Sequence, residues 1–95
     1  MTAPAEATTL TPQAVAAATV ALCRPRTFDR RSIDEVTGTV ILTLRSGPTV
    51  TIRRRSWAAG GGLHWSCRGL GGDLPHDRFE AVEVMVTVCE SRARA

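Results

Sequence analysis

The sequence predicts an α+β fold in which a small antiparallel sheet of two or three strands is packed by an N-terminal and a C-terminal helix, in the order α-β-β-(β)-α. Three observations predict it: an alanine-rich segment after a helix-start signal, an alternation of apolar and hydroxyl residues in the middle, and a helical stripe of polar residues near the end. A chain of 95 residues has room for one domain. We expect residues 10–95 to form it and residues 1–9 to be a disordered tail.

The first helix is predicted to begin at Pro12 and to end near Cys23. Thr11 is suited to cap its N-terminus, Pro12 is suited to the first helical position, and Pro25 prevents the helix from continuing. The small alanines of this segment allow close packing against a neighbouring element.

Residues 24–35, RPRTFDRRSIDE, are predicted to form a basic connector. Phe28 and Ile33 are its large apolar residues, and they should pin it to the core. Ser32 and Glu35 have the spacing of a capping box, which permits one helical turn, although no apolar run follows them.

A β-hairpin is predicted where the apolar period changes to two. In VTGTVILTLR, one face carries Val36, Val40, Leu42 and Leu44. The Ser-Gly-Pro sequence at 46–48 supplies the turn, and residues 49–55 return as the second strand with Val50 and Ile52 inward. Residues 63–67 alternate again as a third short strand, and the glycines on both sides of it predict mobile loops.

The C-terminal segment, DRFEAVEVMVTVCESRAR, is interpreted as a helix, with a long edge strand as the alternative. Its polar residues recur at intervals of three and four, and an apolar stripe matches them at Phe79, Val82, Val86 and Cys89. Asp77 is suited to cap this helix. Val84 and Val88 lie outside the stripe, so the helix either sits deep in the domain or offers a second apolar side to a partner.

The order of these elements resembles the double-stranded-RNA-binding domain. That family places a basic cluster at the start of its last helix. In this chain the corresponding stretch, Pro75-His76-Asp77-Arg78, is nearly neutral, so the resemblance is limited to element order and no residue role is transferred.

Composition narrows the origin and the compartment. All twelve basic residues are arginine, and lysine, tyrosine and asparagine are absent, which is typical of a GC-rich coding bias such as that of an actinobacterium or one of its phages or plasmids. No stretch approaches the roughly 20 apolar residues that span a bilayer, and the N-terminus lacks the basic region of a signal peptide. We therefore expect a cytoplasmic protein in which Cys23, Cys67 and Cys89 are free thiols.

Positive charge is concentrated in the middle of the chain. Residues 24–55 hold eight arginines against three acids, a net +5, whereas the remainder holds four arginines against six acids, a net −2. Strand alternation places Arg53 with Arg45 on the outer face of the hairpin. The candidate contacts to nucleic acid or a protein partner are Arg45, Arg53, Arg54, Arg55 and Trp57.

Catalytic and metal chemistry are not expected. His64 and Cys67 have ligand-like spacing, but paired Cys-x-x-Cys motifs are missing. The glycines at 69–72 lack the lysine of a phosphate-binding loop. Cys67, with His64 or His76 and Asp73, can be drawn as a triad, but so short a chain leaves little room for a water-excluding site. We therefore expect no catalytic residues, no cofactor and no small-molecule substrate.

The predicted function is non-enzymatic binding by an interaction or assembly module, homo-oligomeric or paired with another protein, such as an accessory protein of a phage or mobile element. The surplus apolar surface at Val84 and Val88 predicts the oligomer interface, since association supplements a small core. The alternative is a nucleic-acid-binding regulator that uses the Arg45 and Arg53 face. No membrane association is expected.

Overall fold

The computed structural model describes residues 10–34, 36–55 and 62–93, which contain two helices and five strands. In chain order these are α1 (Pro12–Leu22), β1 (Phe28–Ile33), β2 (Val40–Leu44), β3 (Thr49–Arg54), β4 (Leu63–Cys67), β5 (Leu70–Leu74) and α2 (Arg78–Ala93). The strands form one antiparallel sheet in which each strand pairs with the next. The predicted α+β class and both helices are confirmed, but the sheet has five strands rather than two or three. The predicted N-terminal tail lies outside the described residues.

Both helices begin at the residues that the sequence indicates. The Thr11 side chain accepts a hydrogen bond of 3.1 Å from the Ala14 amide, and Pro12 occupies the first turn of α1. At α2 the Asp77 carboxylate accepts bonds from the Phe79 amide at 2.7 Å and the Glu80 amide at 3.4 Å. These caps satisfy amide groups that would otherwise lack a partner at a helix start.

The core lies between one face of the sheet and the two helices. The helices contact each other, α1 contacts β2 and β3, and α2 contacts β2 and β5. The buried apolar residues of the sheet are Val40, Leu42, Leu44, Val50, Ile52, Leu63, Cys67 and Leu74, and those of the helices include Val15, Ala16, Ala81, Val82, Met85 and Cys89. Because burial falls on alternate residues of the central strands, the opposite face of the sheet is left without a helical cover in the described part of the chain.

The predicted connector is in fact the edge strand β1. Its side chains are almost all exposed, so it lacks the apolar alternation that indicates a strand, and its pairing with β2 holds it in place. Ile33 is 42% exposed rather than pinned to the core. A helical turn at Ser32 is wrong because this residue pairs with Ile41, and Glu35 lies outside the described residues.

The inward face of the hairpin begins later than predicted. Val36 is 95% exposed, because it lies in the turn between β1 and β2. The Asp34 carboxylate accepts a bond of 3.0 Å from the Val36 amide, and Gly38 has a φ of +76°, which breaks the strand geometry. Alternation therefore starts at Val40.

The glycine-rich stretch after β4 is a strand, β5, rather than a mobile loop. Arg68 and Gly69 both have positive φ, 50° and 83°, and make a tight two-residue hairpin. The Trp65 indole lies over Gly72, where an added Cβ would be 3.2 Å from Nε1. At Gly71 an added Cβ would be 2.7 Å from the Trp65 carbonyl oxygen, so this position accepts only glycine without a backbone shift.

Candidate functional site

The face of the sheet that points away from the helices is the first candidate surface, here called the open face. The strand register arranges its residues in three rows that run across the sheet. The first row contains Arg30, Thr43 and Thr49. The second contains Ser32, Ile41, Thr51, Ser66 and Gly71, and the third contains Arg53, His64 and Asp73. Hydroxyl side chains fill its centre, and Ile41 is its apolar residue, 38% exposed. This composition suits contact with polar or charged groups.

A charged cluster occupies one end of the open face. His64 Nδ1 lies 3.1 Å from Asp73 Oδ1, and Arg55 Nε lies 3.3 Å from the same oxygen. Arg53 pairs with His64 across the strands and is exposed. The single carboxylate is thus met by two nitrogen-bearing side chains, and the arginines leave this end positively charged.

Arg55 supports the cluster from below the surface. Its side chain is 23% exposed, its amide donates to the Gly62 carbonyl at 2.9 Å, and its guanidinium packs against Gly62. The Nε atom is buried, and among the described residues it has no partner with hydrogen-bond geometry. The contact with Asp73 is therefore a close ionic contact without hydrogen-bond geometry. It keeps the Arg55 side chain directed at Asp73.

The other predicted contact residues are divided between the faces. Arg45 directly follows β2 and is exposed, and its amide donates to the Thr27 carbonyl at 3.0 Å, which continues the ladder. Arg54 pairs with Leu63 at the end of β3, on the helix-facing side, and is exposed there. Trp57 lies outside the described residues. The structure thus brings Arg53 and Arg55 together and leaves Arg45 at the far end of the open face.

A second candidate surface lies on the helices, at an apolar cleft between α1 and the start of α2. Leu22 is 66% exposed and Phe79 is 70% exposed. The cleft has a volume of about 430 Å³ and is lined by Ala18, Leu22, Asp77, Arg78, Phe79 and Val82. We call it the Leu22–Phe79 cleft.

The sequence pattern does not indicate the Leu22–Phe79 cleft. Phe79 was expected in the core-facing stripe of the last helix, and its exposure shows that expectation to be wrong. The remainder of the stripe does face inward: Val82 and Cys89 are buried, and Val86 packs against the core. Phe79 lies in the first turn of α2 and lines the cleft beside Leu22 instead of entering the core. A sequence signal for the cleft is the large apolar residue Leu22 at the end of the predicted first helix.

The predicted oligomer residues Val84 and Val88 lie on another side of α2. Both are half-buried, and Val84 also packs against the edge of the core. Together with Glu83 and Thr87 they line a shallow surface groove of about 350 Å³.

A small polar cavity of about 190 Å³ lies at the C-terminal end of α2. It is lined by Arg24, Arg26, Thr27, Glu90 and Ala93. The Glu90 carboxylate accepts a bond of 3.2 Å from the Arg24 amide, which ties the end of α1 to α2. The cavity therefore lies at the junction between the end of α1 and the end of α2.

The three cysteines are free and buried, as the sequence predicts. Burial, with the nearby Glu90 carboxylate, raises the pKa of the Cys23 thiol from 9.0 to about 11. Burial, with the other two cysteines and Glu90 nearby, raises the pKa of Cys89 to about 12. Both thiols therefore stay protonated and unreactive at neutral pH.

The ligand-like pair His64 and Cys67 is separated by the sheet itself. Residues three apart on a strand point to opposite faces; His64 is on the open face and Cys67 is buried in the core. Within residues 10–34, 36–55 and 62–93, no group of three His, Cys, Asp or Glu side chains is placed to hold a metal ion. The triad drawn through Cys67 and His64 fails for the same geometric reason.

Comparisons with known protein families, with characterised proteins and with solved structures return no match to this chain. Of the helices in the described ranges, neither is long and apolar enough to cross a membrane. The open face and the Leu22–Phe79 cleft are the two surfaces whose chemistry indicates a function.

Proposed function

We propose that the protein is a non-enzymatic assembly module that self-associates through the Leu22–Phe79 cleft. The observation that supports this most directly is the exposure of two large apolar side chains, 66% and 70%, beside one apolar cleft. A contiguous apolar patch on a small protein is typical of a contact with another macromolecule.

Leu22 and Phe79 leave most of their apolar surface in water. Burying a leucine or phenylalanine side chain is worth about 1.5–3 kcal/mol relative to leaving it exposed. A chain of 95 residues has a small core, so this amount is a large share of its stability. Covering Leu22 and Phe79 with a partner recovers free energy that the monomer does not use.

A second copy of the chain suits the cleft because the surface is self-complementary. In a two-fold contact each residue of the patch meets the same patch on the partner. The exposed Leu22 and Phe79 line the cleft together with Ala18 and the buried Val82, so each copy offers the same apolar surface to the other. Asp77 and Arg78 stand side by side at its border, and a two-fold axis lets each one face the opposite charge of the other copy.

We further propose that this assembly works in the cytoplasm, as an accessory protein of a phage or mobile element. Three free buried thiols support a reducing compartment. The all-arginine basic composition supports the proposed origin.

Light scattering coupled to size-exclusion chromatography tests self-association. The wild-type protein should elute with twice the chain mass of 10.2 kDa. The double variant Leu22→Ser/Phe79→Ser should elute as the monomer and keep its circular dichroism spectrum, because both residues are largely exposed in the monomer.

A matched variant separates the cleft from the interface predicted at Val84 and Val88. Val88→Ser changes one half-buried valine on the other side of α2 and should leave the dimer intact. A wild-type protein that stays monomeric at high concentration contradicts the proposal. If the dimer persists in Leu22→Ser/Phe79→Ser but is lost in Val88→Ser, the interface is the groove at Val84 and Val88 and the proposal is wrong.

A further inference from the structure

The open face and the helical layer differ in charge. Around the open face lie Arg30, Arg45, Arg53 and Arg55, and the acidic side chain in its strand rows is Asp73. Asp34 is exposed directly after β1, where its amide donates to the Thr39 carbonyl at 2.8 Å. Asp29, at the register shift of β1, lies next to Arg30 and offsets part of its charge. The helix α2 and its cap instead carry Asp77, Glu80, Glu83 and Glu90 against Arg78 and Arg92. Arg30, Arg45, Arg53 and Arg55 therefore give the open face a local surplus of positive charge, while Arg24, Arg26, Arg31 and Arg54 lie elsewhere on the molecule.

The negative charge of Asp73 is already balanced by contacts within the cluster, so it offsets the arginines of the open face less than an isolated carboxylate would. Arg55 and His64 both contact its Oδ1 oxygen, at 3.3 and 3.1 Å. An anion approaching the face meets a carboxylate that already has cationic or donor groups against it, which weakens repulsion. Arg30, Arg45 and Arg53 are exposed on this surface.

The spacing of these arginines suits an extended anion rather than a small one. Thr43 pairs with Thr49, so Arg45 lies beyond one end of the hairpin and Arg53 lies toward the other. Six residue positions separate them along the strands, which is about 20 Å at 3.4 Å per residue. Over this length one strand of a DNA duplex carries roughly six phosphates at its spacing of 3.4 Å.

The centre of the open face offers hydrogen-bond donors between the cations. Thr43, Thr51 and Ser66 are half-buried hydroxyl residues, and Thr49 is exposed. Hydroxyl and guanidinium groups together are the usual donors to phosphate oxygens in protein–DNA contacts. Apart from the His64 ring, the described residues of this face include no aromatic side chain that could stack on a base. Such a surface contacts the backbone without reading sequence.

We infer that the open face binds the phosphate backbone of nucleic acid, with Arg30, Arg45 and Arg53 as the contact residues. This inference is independent of the proposed self-association, which uses the opposite side of the molecule. Three phosphate contacts give an expected slope of about −3 for the logarithm of the association constant against the logarithm of salt concentration.

Fluorescence anisotropy with a labelled DNA duplex, at salt concentrations between about 50 and 200 mM, tests the inference. The wild-type protein should bind duplexes of unrelated sequence equally. Arg53→Gln, Arg45→Gln and Arg30→Gln should each reduce the salt slope by about 1, and the triple variant should lose measurable binding. Arg24→Gln is the matched control, because it removes one exposed charge beside α2 and should leave the slope unchanged.

Three results would overturn the inference. One is no anisotropy change at about 100 μM protein, the weak end of non-specific DNA binding. A second is an equal loss in Arg24→Gln and Arg53→Gln, which would assign binding to net charge rather than to this face. A third is binding to heparin or to phosphatidylserine vesicles without binding to DNA. The Leu22→Ser/Phe79→Ser variant should retain DNA binding with an unchanged slope per chain, so the two proposals can fail separately.

Discussion

The two faces of the sheet are built from alternate residues of the same strands, yet they have opposite character. Leu42 and Ile41 are neighbours on β2, and their exposed fractions are 0% and 38%. The face with Leu42 is aliphatic and covered by helices, whereas the open face carries hydroxyl groups and arginines. The comparison shows how a very small domain can supply a core and a separate polar surface from one hairpin, because successive side chains point to opposite sides.

The largest expected difference between the faces is in stability. Leu42→Ala removes a fully buried side chain and should lower the free energy of unfolding by about 2–5 kcal/mol. Ile41→Ala, one residue away on the open face, should cost less than about 1 kcal/mol because the side chain is partly in water. Urea denaturation of both variants measures the difference. Equal losses would mean that the open face is covered in solution.

A smaller effect is expected where the backbones of β4 and β5 approach each other. Gly71→Ala places a Cβ 2.7 Å from the Trp65 carbonyl oxygen, a backbone atom that cannot move aside, so a loss of about 1–3 kcal/mol is expected. Gly72→Ala is the control, since its Cβ meets the Trp65 indole at 3.2 Å and a side chain can yield. Thermal denaturation compares the two, and a more damaging Gly72→Ala would contradict this account of β5.

Alkali should destabilise the helical side through the buried thiols. Folding raises the pKa of Cys23 from 9.0 to about 11, and that of Cys89 to about 12, so above pH 9.0 the unfolded chain releases these protons first. The contribution of the two thiols to the free energy of unfolding is therefore fully present below pH 9.0. It is lost progressively as the pH rises toward 11. Lysine and tyrosine are absent, so other side chains contribute little in this range.

Thermal melts across this pH range provide the measurement. The melting temperature of the wild-type protein should fall by several degrees toward pH 11. The variant Cys23→Ala/Cys89→Ala should be less stable at neutral pH but less sensitive to alkali. An equally steep fall in that variant would show that the thiols are not the cause.

The smallest expected effect concerns the charged cluster. Asp73→Asn removes the ionic contacts to Arg55 and His64, but the carboxylate is 55% exposed, so the loss of stability should be below about 1 kcal/mol. The same change makes the open face more positive and should tighten DNA binding. Glu83→Gln makes the same change of charge on α2 and should not affect DNA binding. Equal effects of the two variants on affinity would remove the distinction between the faces.

The sequence was most informative where local signals and burial agree. The caps at Thr11 and Asp77, the alternation from Val40 to Ile52 and the three-four spacing of the last helix each describe an element whose own residues favour it. It failed at the two edge strands. β1 is polar and β5 is glycine-rich, so neither has a periodic pattern of its own, and each exists because a neighbouring strand offers unpaired backbone groups.

The candidate surfaces also include some features that the sequence pattern predicts and others that depend on how the elements meet. Alternation alone predicts that Arg53 lies on the face opposite Ile52, and the register agrees. The contact between Arg55 and Asp73 was not predicted, because it joins strands whose pairing requires β5. Nor was the Leu22–Phe79 cleft, since periodicity shows which side of a helix is apolar but not how far along its length another helix covers it.

By itself, therefore, the sequence determined the class of fold, the two helices, the central hairpin and the uneven distribution of charge. These follow from local propensity and from side-chain periods that each segment carries alone. The tertiary structure decided the five-stranded sheet, the environment of Asp73 and the exposure of Phe79. Those features depend on which segments meet, because backbone pairing and burial are properties of two elements together and neither element encodes them separately.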